Sequence, residues 1–341
     1  MNHKIHHLSH TDLDGYGCQM VSAHYFNSIA FYNSNYGKEI NECFNQILNN
    51  IQTSPLQKHV ILITDLNLTM DQAKEFESKV SICDKEIMLF VLDHHKTGQE
   101  CADAFEWYFL DSSRCATKIT YDFFSALYGA DEKLSKFVDV VNAVDIWLEN
   151  EPEFELGKVC MGLVSGAKEV NKVMFPEENS HYIFSLLTKA QEYFTCKDAH
   201  IALDDAIHNI KKQFFVTTTN NTLSNLVSAY NVILLTKNRE RMQIMYKEAK
   251  GILTYNIGNV SVIGNDFLTA NPDLDFFMDI TSKKTISLRS NGKVDVSKIA
   301  AQIANGGGHH NASGGLLSNF KDAFIYDTIK SQVMSIIANK G

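Results

Sequence analysis

Three times in its first hundred residues the chain runs through a short strand-like stretch and halts at acidic residues. Residues 4–10 lead into Asp12 and Asp14, residues 60–64 into Asp65, and Ile87, Met88, Leu89, Phe90, Val91 and Leu92 into Asp93, His94 and His95. The first two stretches are followed by segments of helical character, and β-turn-α repeats of this kind require crossovers and hence a parallel sheet. Parallel strands finish at one edge, so the acids gather where open α/β sheets place their chemistry. The third run has the length and apolarity of a strand covered on both faces.

The acids differ in what they suggest. A carboxylate beside two imidazoles at 93–95 suits a divalent transition metal, with the second His still able to reach a phosphate. In extended backbone His10, Asp12 and Asp14 point the same way, so one ion could be reached by all three, while Gly15 and Gly17 allow a sharp turn. An Asp-rich helix cap accounts for the same residues. Between these motifs, Ala30 to Tyr32 reads as a strand. Ile40, Phe44, Ile47, Leu48 and Ile51 make one helical stripe, and Met70, Ala73, Phe76 and Val80 another behind a capping-box spacing from Thr69 to Gln72. After a strand at 108–110, Ser112, Ser113 and Arg114 precede a helix whose first amides offer a seat for a phosphate, although N-capping explains the serines equally well. A helix over 134–148 buries Leu134, Phe137, Val141, Val144 and Leu148. Periodicity alone leaves Asp145 on a solvated face.

The C-terminal half reads differently. Residues 180–215 are helical, with Leu203, Ile207, Ile210 and Phe214 in register, and 217–224 form a polar break. Strands are expected at 231–236, 260–263, 276–280 and 285–289, with a helix through Tyr246 and another at 296–304. The closing run from Gly306 to Gly315 carries His309 and His310. There glycine backbone lets successive amides converge on an anion, with His309 at the tip and Arg289 just upstream. The expected fold is α/β: a parallel-sheet catalytic domain over 1–190, a helical connector over 191–228, and a smaller α/β domain over 229–341.

With 341 residues the chain has apolar content for two cores. It has no apolar run near the roughly 20 residues of a membrane helix, and a polar start. Its seven cysteines form no Cys-x-x-Cys pair, which argues against structural zinc or a disulfide framework and for a reducing, cytoplasmic setting. A net charge of −9 disfavours duplex DNA and leaves room for a local pocket that takes a small anion.

These motifs, in this order, resemble the DHH family of phosphoesterases with its C-terminal DHH-associated domain, nearly end to end. Asp12 and Asp14 match the first motif, Asp65 the second, Asp93, His94 and His95 the third, and Asp145 the fourth. Residues 287–290 and 306–315 match the C-terminal substrate-binding elements. The resemblance implies two divalent ions, manganese first and magnesium or cobalt next, held by His10, Asp12, Asp14, Asp65, His94 and Asp145. Many members carry a metal-binding His four residues before the first motif's Asp, where this chain has Leu8, and His10 is placed in that role. Asp65, Asp93 and His95 would be catalytic, with His95 on the scissile phosphate. Arg114, Arg289, Ser290, Gly307, Gly308 and His309 would bind substrate. The implied activity is a phosphodiesterase of short oligonucleotides or of linear or cyclic dinucleotides, with a dimer among the expected assemblies and no membrane partner. A RecJ-like single-strand exonuclease is the runner-up, and a non-catalytic nucleotide-binding relative a third reading. An inorganic pyrophosphatase would carry Ser-Arg-Lys-Lys-Gln, of which only Lys211, Lys212 and Gln213 are present.

Overall fold

The computed structural model describes residues 3–217 and 220–340. Thr218 and Thr219, inside the stretch expected as a polar break, lie outside the described residues. In chain order the elements are β1 (Lys4–Ser9), α1 (Leu13–Tyr25), β2 (Ile29–Asn33), α2 (Lys38–Gln52), β3 (Lys58–Thr64), α3 (Met70–Ser81), β4 (Glu86–Asp93), α4 (Gln99–Ala104) and β5 (Tyr108–Leu110). Then come α5 (Ala116–Tyr128), α6 (Glu132–Asp145), α7 (Phe154–Ser165), α8 (Pro176–Ala190), α9 (Ala199–Phe215), α10 (Leu223–Lys237), α11 (Arg239–Met242), β6 (Gln243–Tyr246) and β7 (Ala249–Tyr255). The chain closes with α12 (Val260–Ala270), β8 (Phe276–Ile280), β9 (Thr285–Ser290), α13 (Val296–Ala304), β10 (Gly307–His309), β11 (Ala312–Leu316) and α14 (Tyr326–Lys340). Two compact units result, one of Met1–Ala167 with Ser180–Ile210, the other of Lys168–Asn179 with Lys211–Gly341. The division falls inside α8 and α9, so the expected connector is shared between the units.

The first unit holds a five-stranded sheet in the order β2-β1-β3-β4-β5, every pair parallel. The chain leaves β1 for β2 on one side and then crosses to β3 on the other, which makes the carboxyl ends of β1 and β3 the switch point where such sheets bind ligands. Register sets the row that matters: Ser9 lies opposite Thr64, and Thr64 opposite Leu92. The next residues, His10, Asp65 and Asp93, therefore leave the sheet side by side. One face is closed by the stripe of α2 and by Ala73 and Phe76 of α3, packed on Leu8, Ile61, Ile63, Leu89 and Val91. Phe44 and Phe76 stack with centroids 3.7 Å apart. The capping box at Thr69 and Gln72 forms as its spacing predicts.

Two expectations are corrected here. β4 is covered on both faces only toward its carboxyl end: Met88 is 41% and Phe90 37% exposed, whereas Leu92 on the same face is 4% exposed where α5 packs on the strand. Gly15 and Gly17 do not make a turn but lie within α1. A Cβ on Gly15 would stand 2.3 Å from the His10 carbonyl oxygen, and one on Gly17 would stand 2.4 Å from Thr117 Oγ1. Close approach, and not backbone freedom, requires glycine at both.

The second unit is a mixed six-stranded sheet, β10-β11-β9-β8-β7-β6, antiparallel except between β7 and β8. Residues 231–236, expected as a strand, belong to α10, where Asn231, Leu234 and Leu235 are buried at helical spacing. Residues 260–263 likewise open α12, whose buried face is Ile263, Gly264, Phe267 and Leu268. The helix expected to run through Tyr246 gives way to the strand β6. Packing of an apolar face decides these short β-branched runs against their local preference. The glycine run is likewise not an open loop but the hairpin of β10 and β11, in which Gly307 pairs with Gly314, Gly308 with Ser313, and His309 with Ala312.

Candidate metal centre

All six residues expected to hold metal belong to the first unit, and the ends of β1, β3 and β4 together with α1 and α6 bring them into one cluster. Asp12 is the N-cap of α1, its Oδ1 accepting from the Gly15 amide at 3.0 Å. Its Oδ2 stands 2.8 Å from His10 Nδ1, which is also 3.6 Å from Asp65 Oδ2. His94 Nε2 lies 3.4 Å from Asp65 Oδ1, 3.6 Å from Asp145 Oδ2 and 3.8 Å from Asp14 Oδ2. Three sets of donor atoms result, each close enough to share an ion: His10, Asp12 and Asp65; Asp65, His94 and His95; Asp14, Cys115 and Asp145. Asp65 is common to the first two.

Backbone and helix ends explain how the chain holds this much negative charge. Asp65 sits in the left-handed region at φ +55°, a conformation Asp tolerates better than most residues. Asp14 is fully buried, and its two oxygens accept from the Ala116 and Thr117 amides, each at 2.8 Å. It thus sits on the N-terminus of α5, where a helix favours an anion. Asp145 has no such support. It ends α6, whose last turn contains no basic residue, and a carboxylate at a helix C-terminus meets the unfavourable end of the dipole.

Burial, and then the charge of Asp14, push the Asp65 carboxyl well above the ordinary range and raise Asp145 to about 9. Burial alone would lower His10, but Asp12 and Asp65 beside it outweigh that and raise it to about 10. The protein's own answer to its crowded carboxylates is therefore a proton on His10, which a metal would displace. The fit to a divalent ion rests on buried donor atoms. Asp145 Oδ2 is buried without a hydrogen bond, and the buried His10 Nδ1 and Asp65 Oδ2 face only carboxylate or imidazole groups of the same cluster. Buried unsatisfied polar atoms cost about 1–3 kcal/mol each. Borderline-hard oxygen and imidazole donors around such atoms suit a divalent transition metal.

Asp93 does not join the donor sets. Its Oδ1 accepts from His95 Nδ1 at 2.7 Å and from the His94 amide at 2.9 Å, and its Oδ2 from the Tyr108 hydroxyl at 2.7 Å. It is fully buried and orients His95. The phosphate seat expected before α5 is corrected. The amides there are taken by Asp14, by Asn142 Oδ1 on Cys115 N and by Cys115 Sγ on Lys118 N. Arg114 pairs with Asp111 and Asp122.

Sequence reasoning missed Tyr36, Tyr108 and Cys115. Tyr36 stands in the polar turn after β2, Tyr108 opens β5, and Cys115 caps α5; a tyrosine or cysteine at those places carries no spacing signal of its own. Asp145 was visible only through the resemblance.

In the second unit, His309 lies opposite Ala312, which on its other side lies opposite Arg289. Arg289 and His309 thus flank one residue of β11, about two strand spacings of 4.8 Å apart. Arg289 Nη2 donates to Ser261 Oγ at 2.8 Å, and Ser290 Oγ accepts from the Gly292 amide at 3.2 Å. A Cβ on Gly308 would stand 2.6 Å from the Ala312 carbonyl oxygen, and Gly307 has open space.

Residues 4–143 match the model described as DHH family, N-terminal domain. The chain is 41% identical over 345 residues to a 3',5'-cyclic-nucleotide phosphodiesterase of Helicobacter pylori (strain ATCC 700392 / 26695), covering 98% of this chain and 99% of that protein. It is 26% identical over 324 residues to oligoribonuclease NrnB of Bacillus subtilis (strain 168), covering 91% of this chain and 72% of that one. A crystal structure of an uncharacterized protein from Helicobacter pylori G27 superposes with a TM-score of 0.91 at 40% identity, over 99% of this chain and all of that chain. The chain belongs to the DHH family of phosphoesterases.

Proposed function

We propose that this protein is a metal-dependent phosphodiesterase that hydrolyses 3',5'-phosphodiester bonds in short nucleotides, from cyclic nucleotides to dinucleotides and very short oligonucleotides, releasing mononucleotides. The observation that carries the proposal is the cluster in which Asp65 is shared by two donor sets and the buried Asp145 Oδ2 has no hydrogen bond. The two named relatives support the substrate class: one is named for 3',5'-cyclic nucleotides and the other for oligoribonucleotides. The bond common to both substrates is a phosphodiester between ribose oxygens.

His10, Asp12, Asp14, Asp65, His94 and Asp145 would hold two divalent ions, manganese before magnesium or cobalt given the mixed oxygen and imidazole set. Bound there, such ions supply Lewis acidity and charge neutralisation for in-line attack on phosphorus. The side chains do the rest. Asp93 engages His95 through Nδ1, so that Nε2 is the ring atom presented to the substrate. Arg289, Ser290, Gly307, Gly308 and His309 form the proposed set for the non-reacting part of the substrate. Arg114 is left out, since two carboxylates already neutralise it. A reducing cytoplasmic setting agrees with seven cysteines that are all free. Among the described residues no helix is long and apolar enough to cross a membrane.

The test compares hydrolysis of a 3',5'-cyclic mononucleotide, a linear dinucleotide, a long single strand and a phosphomonoester in manganese. Cleavage of the first two well above the others is expected. A monoesterase, or a protein that degrades long strands undiminished, would overturn the reading. Arg289→Ala should raise KM for the dinucleotide and leave a small chromogenic diester unaffected.

A further inference from the structure

His95 has two ring nitrogens, and both are engaged. Asp93 Oδ1 accepts from Nδ1 at 2.7 Å. The Tyr36 hydroxyl lies 3.0 Å from Nε2, within hydrogen-bond distance. A line of hydrogen bonds thus runs from Tyr36 through His95 and Asp93 to Tyr108, with a phenol at each end. The far end is built tightly, since a Cβ on Gly98 would fall 2.4 Å from the Tyr108 hydroxyl oxygen.

Tyr36 has little to gain from burial, being 43% exposed in a turn of polar residues. Its ring lies against His10, with centroids 4.6 Å apart, and edge-on to His95 at 5.6 Å. The turn that carries it is tied down at several points. Ser34 N donates to the Ser9 carbonyl at 3.0 Å and Asn33 Nδ2 to the His10 carbonyl at 2.9 Å. Asn35 takes the Thr11 hydroxyl on its Oδ1 and donates to Glu39. Every one of these anchors reaches the segment that carries His10 and Asp12, or stiffens the turn itself. An exposed aromatic held this firmly contributes through the bond its hydroxyl makes.

Taking the phosphodiesterase reading as given, we propose that Tyr36 is a positioning residue for His95. In the free protein its hydroxyl holds Nε2 and with it the plane of the imidazole, and the substrate phosphoryl group, on taking the hydroxyl's place at Nε2, meets a ring already oriented. An imidazole held only through Nδ1 keeps rotational freedom about its ring bond, and the misalignment is felt in the chemical step more than in binding.

The decisive variant is Tyr36→Phe, which keeps the ring on His10 and removes only the hydroxyl. Long-range proton–nitrogen spectra of the imidazoles, recorded in chelator, should show the His95 Nε2 resonance shifted while the Nδ1 signal keeps its place. Calorimetric manganese titration and melting temperature should match wild type. On a linear dinucleotide kcat should fall about 10-fold or more, as for loss of other groups that orient active side chains, with KM within about twofold. An unmoved Nε2 resonance would overturn the proposal, as would a raised KM at constant kcat, which would make Tyr36 a binding group. A lost manganese affinity would overturn it too, by reducing Tyr36 to a support for His10. Should wild type hydrolyse none of the phosphodiesters, the functional reading falls on its own, while the spectra still decide the Tyr36–His95 contact.

Discussion

Removing the charge of Asp145 should stabilise the metal-free protein and cut the further stability that metal binding brings. The side chain is mostly buried, crowded by Asp14 and Asp65 and relieved only by His94, and its carboxyl is raised from 3.8 to about 9. A carboxyl raised in the folded state costs nothing below its unfolded value. Its cost grows as pH rises, by about 1.4 kcal/mol per pH unit, until the folded value is reached. The window is therefore pH 4 to 9. At pH 7 the full displacement corresponds to about 4 kcal/mol, and sharing among coupled carboxylates brings the expectation to about 2–4 kcal/mol. Asp145→Asn cannot ionise. In chelator at pH 7 it should melt about 4–16 °C above wild type, at the 2–4 °C per kcal/mol of a unit this size. At pH 4 the gap should close. With manganese at about 100 times its dissociation constant the wild type gains about 2.7 kcal/mol and the variant much less, so the order narrows or inverts. Scanning calorimetry at pH 4, 7 and 9, with and without the metal, reads all of this. A variant less stable than wild type in chelator at pH 7, or a gap that persists at pH 4, would show that Asp145 carries no unmet charge.

Asp65 permits a paired test. Asp65→Asn should fold, since Asn accepts the left-handed backbone at φ +55°, and should lose metal-dependent hydrolysis; Asp65→Ala should lose about 1 kcal/mol of stability besides, visible in urea unfolding. Gly15→Ala drives a Cβ into the His10 carbonyl. It should cost about 1–3 kcal/mol by overpacking and weaken manganese binding in the same calorimetric titration, because the displaced backbone carries His10, a proposed ligand. His7 is buried between the Ser22 and Thr64 hydroxyls, and burial lowers it to about 3. A group lowered in this way stabilises above its unfolded value of 6.5 and loses that contribution as pH falls toward 3. At pH 5 the loss is about 2 kcal/mol, and comparison with His7→Gln in urea should recover it; equal pH dependence in both proteins would refute the burial argument.

How much of this was legible follows from where the information resides. Parallel order in the first unit is written in the apolar runs before Asp65 and Asp93, because a buried strand has to be continuous in sequence. The stripe of Ile40, Phe44, Ile47, Leu48 and Ile51 is legible for the same reason, and all five are buried. Asp145 is different. Its meaning comes from the fold of α6 toward the ends of β1 and β3, and nothing in its own helix distinguishes it from the solvent-facing acids nearby. The second unit misled at residues 231–236 and 260–263 because short runs of mostly β-branched or aliphatic residues satisfy both strand and helix periodicity. There the partner face chooses: α10 and α12 lie against each other. The amides before α5 misled for a third reason, since their occupant, Asp14, is about a hundred residues away in the chain.

Asp14 also bears on how such a chain can change over generations. Its oxygens tie down the first turn of α5 while its charge faces His94 and Asp145. Charge-assisted hydrogen bonds to backbone are worth about 1.5–3 kcal/mol each, so a lineage that gave up hydrolysis would still be under pressure to keep this aspartate. Asp12, with one backbone partner in the Gly15 amide, would be free to drift first. A descendant that retained the second acid of the pair and had replaced the first would therefore be recognisable as one whose scaffold had outlived its chemistry.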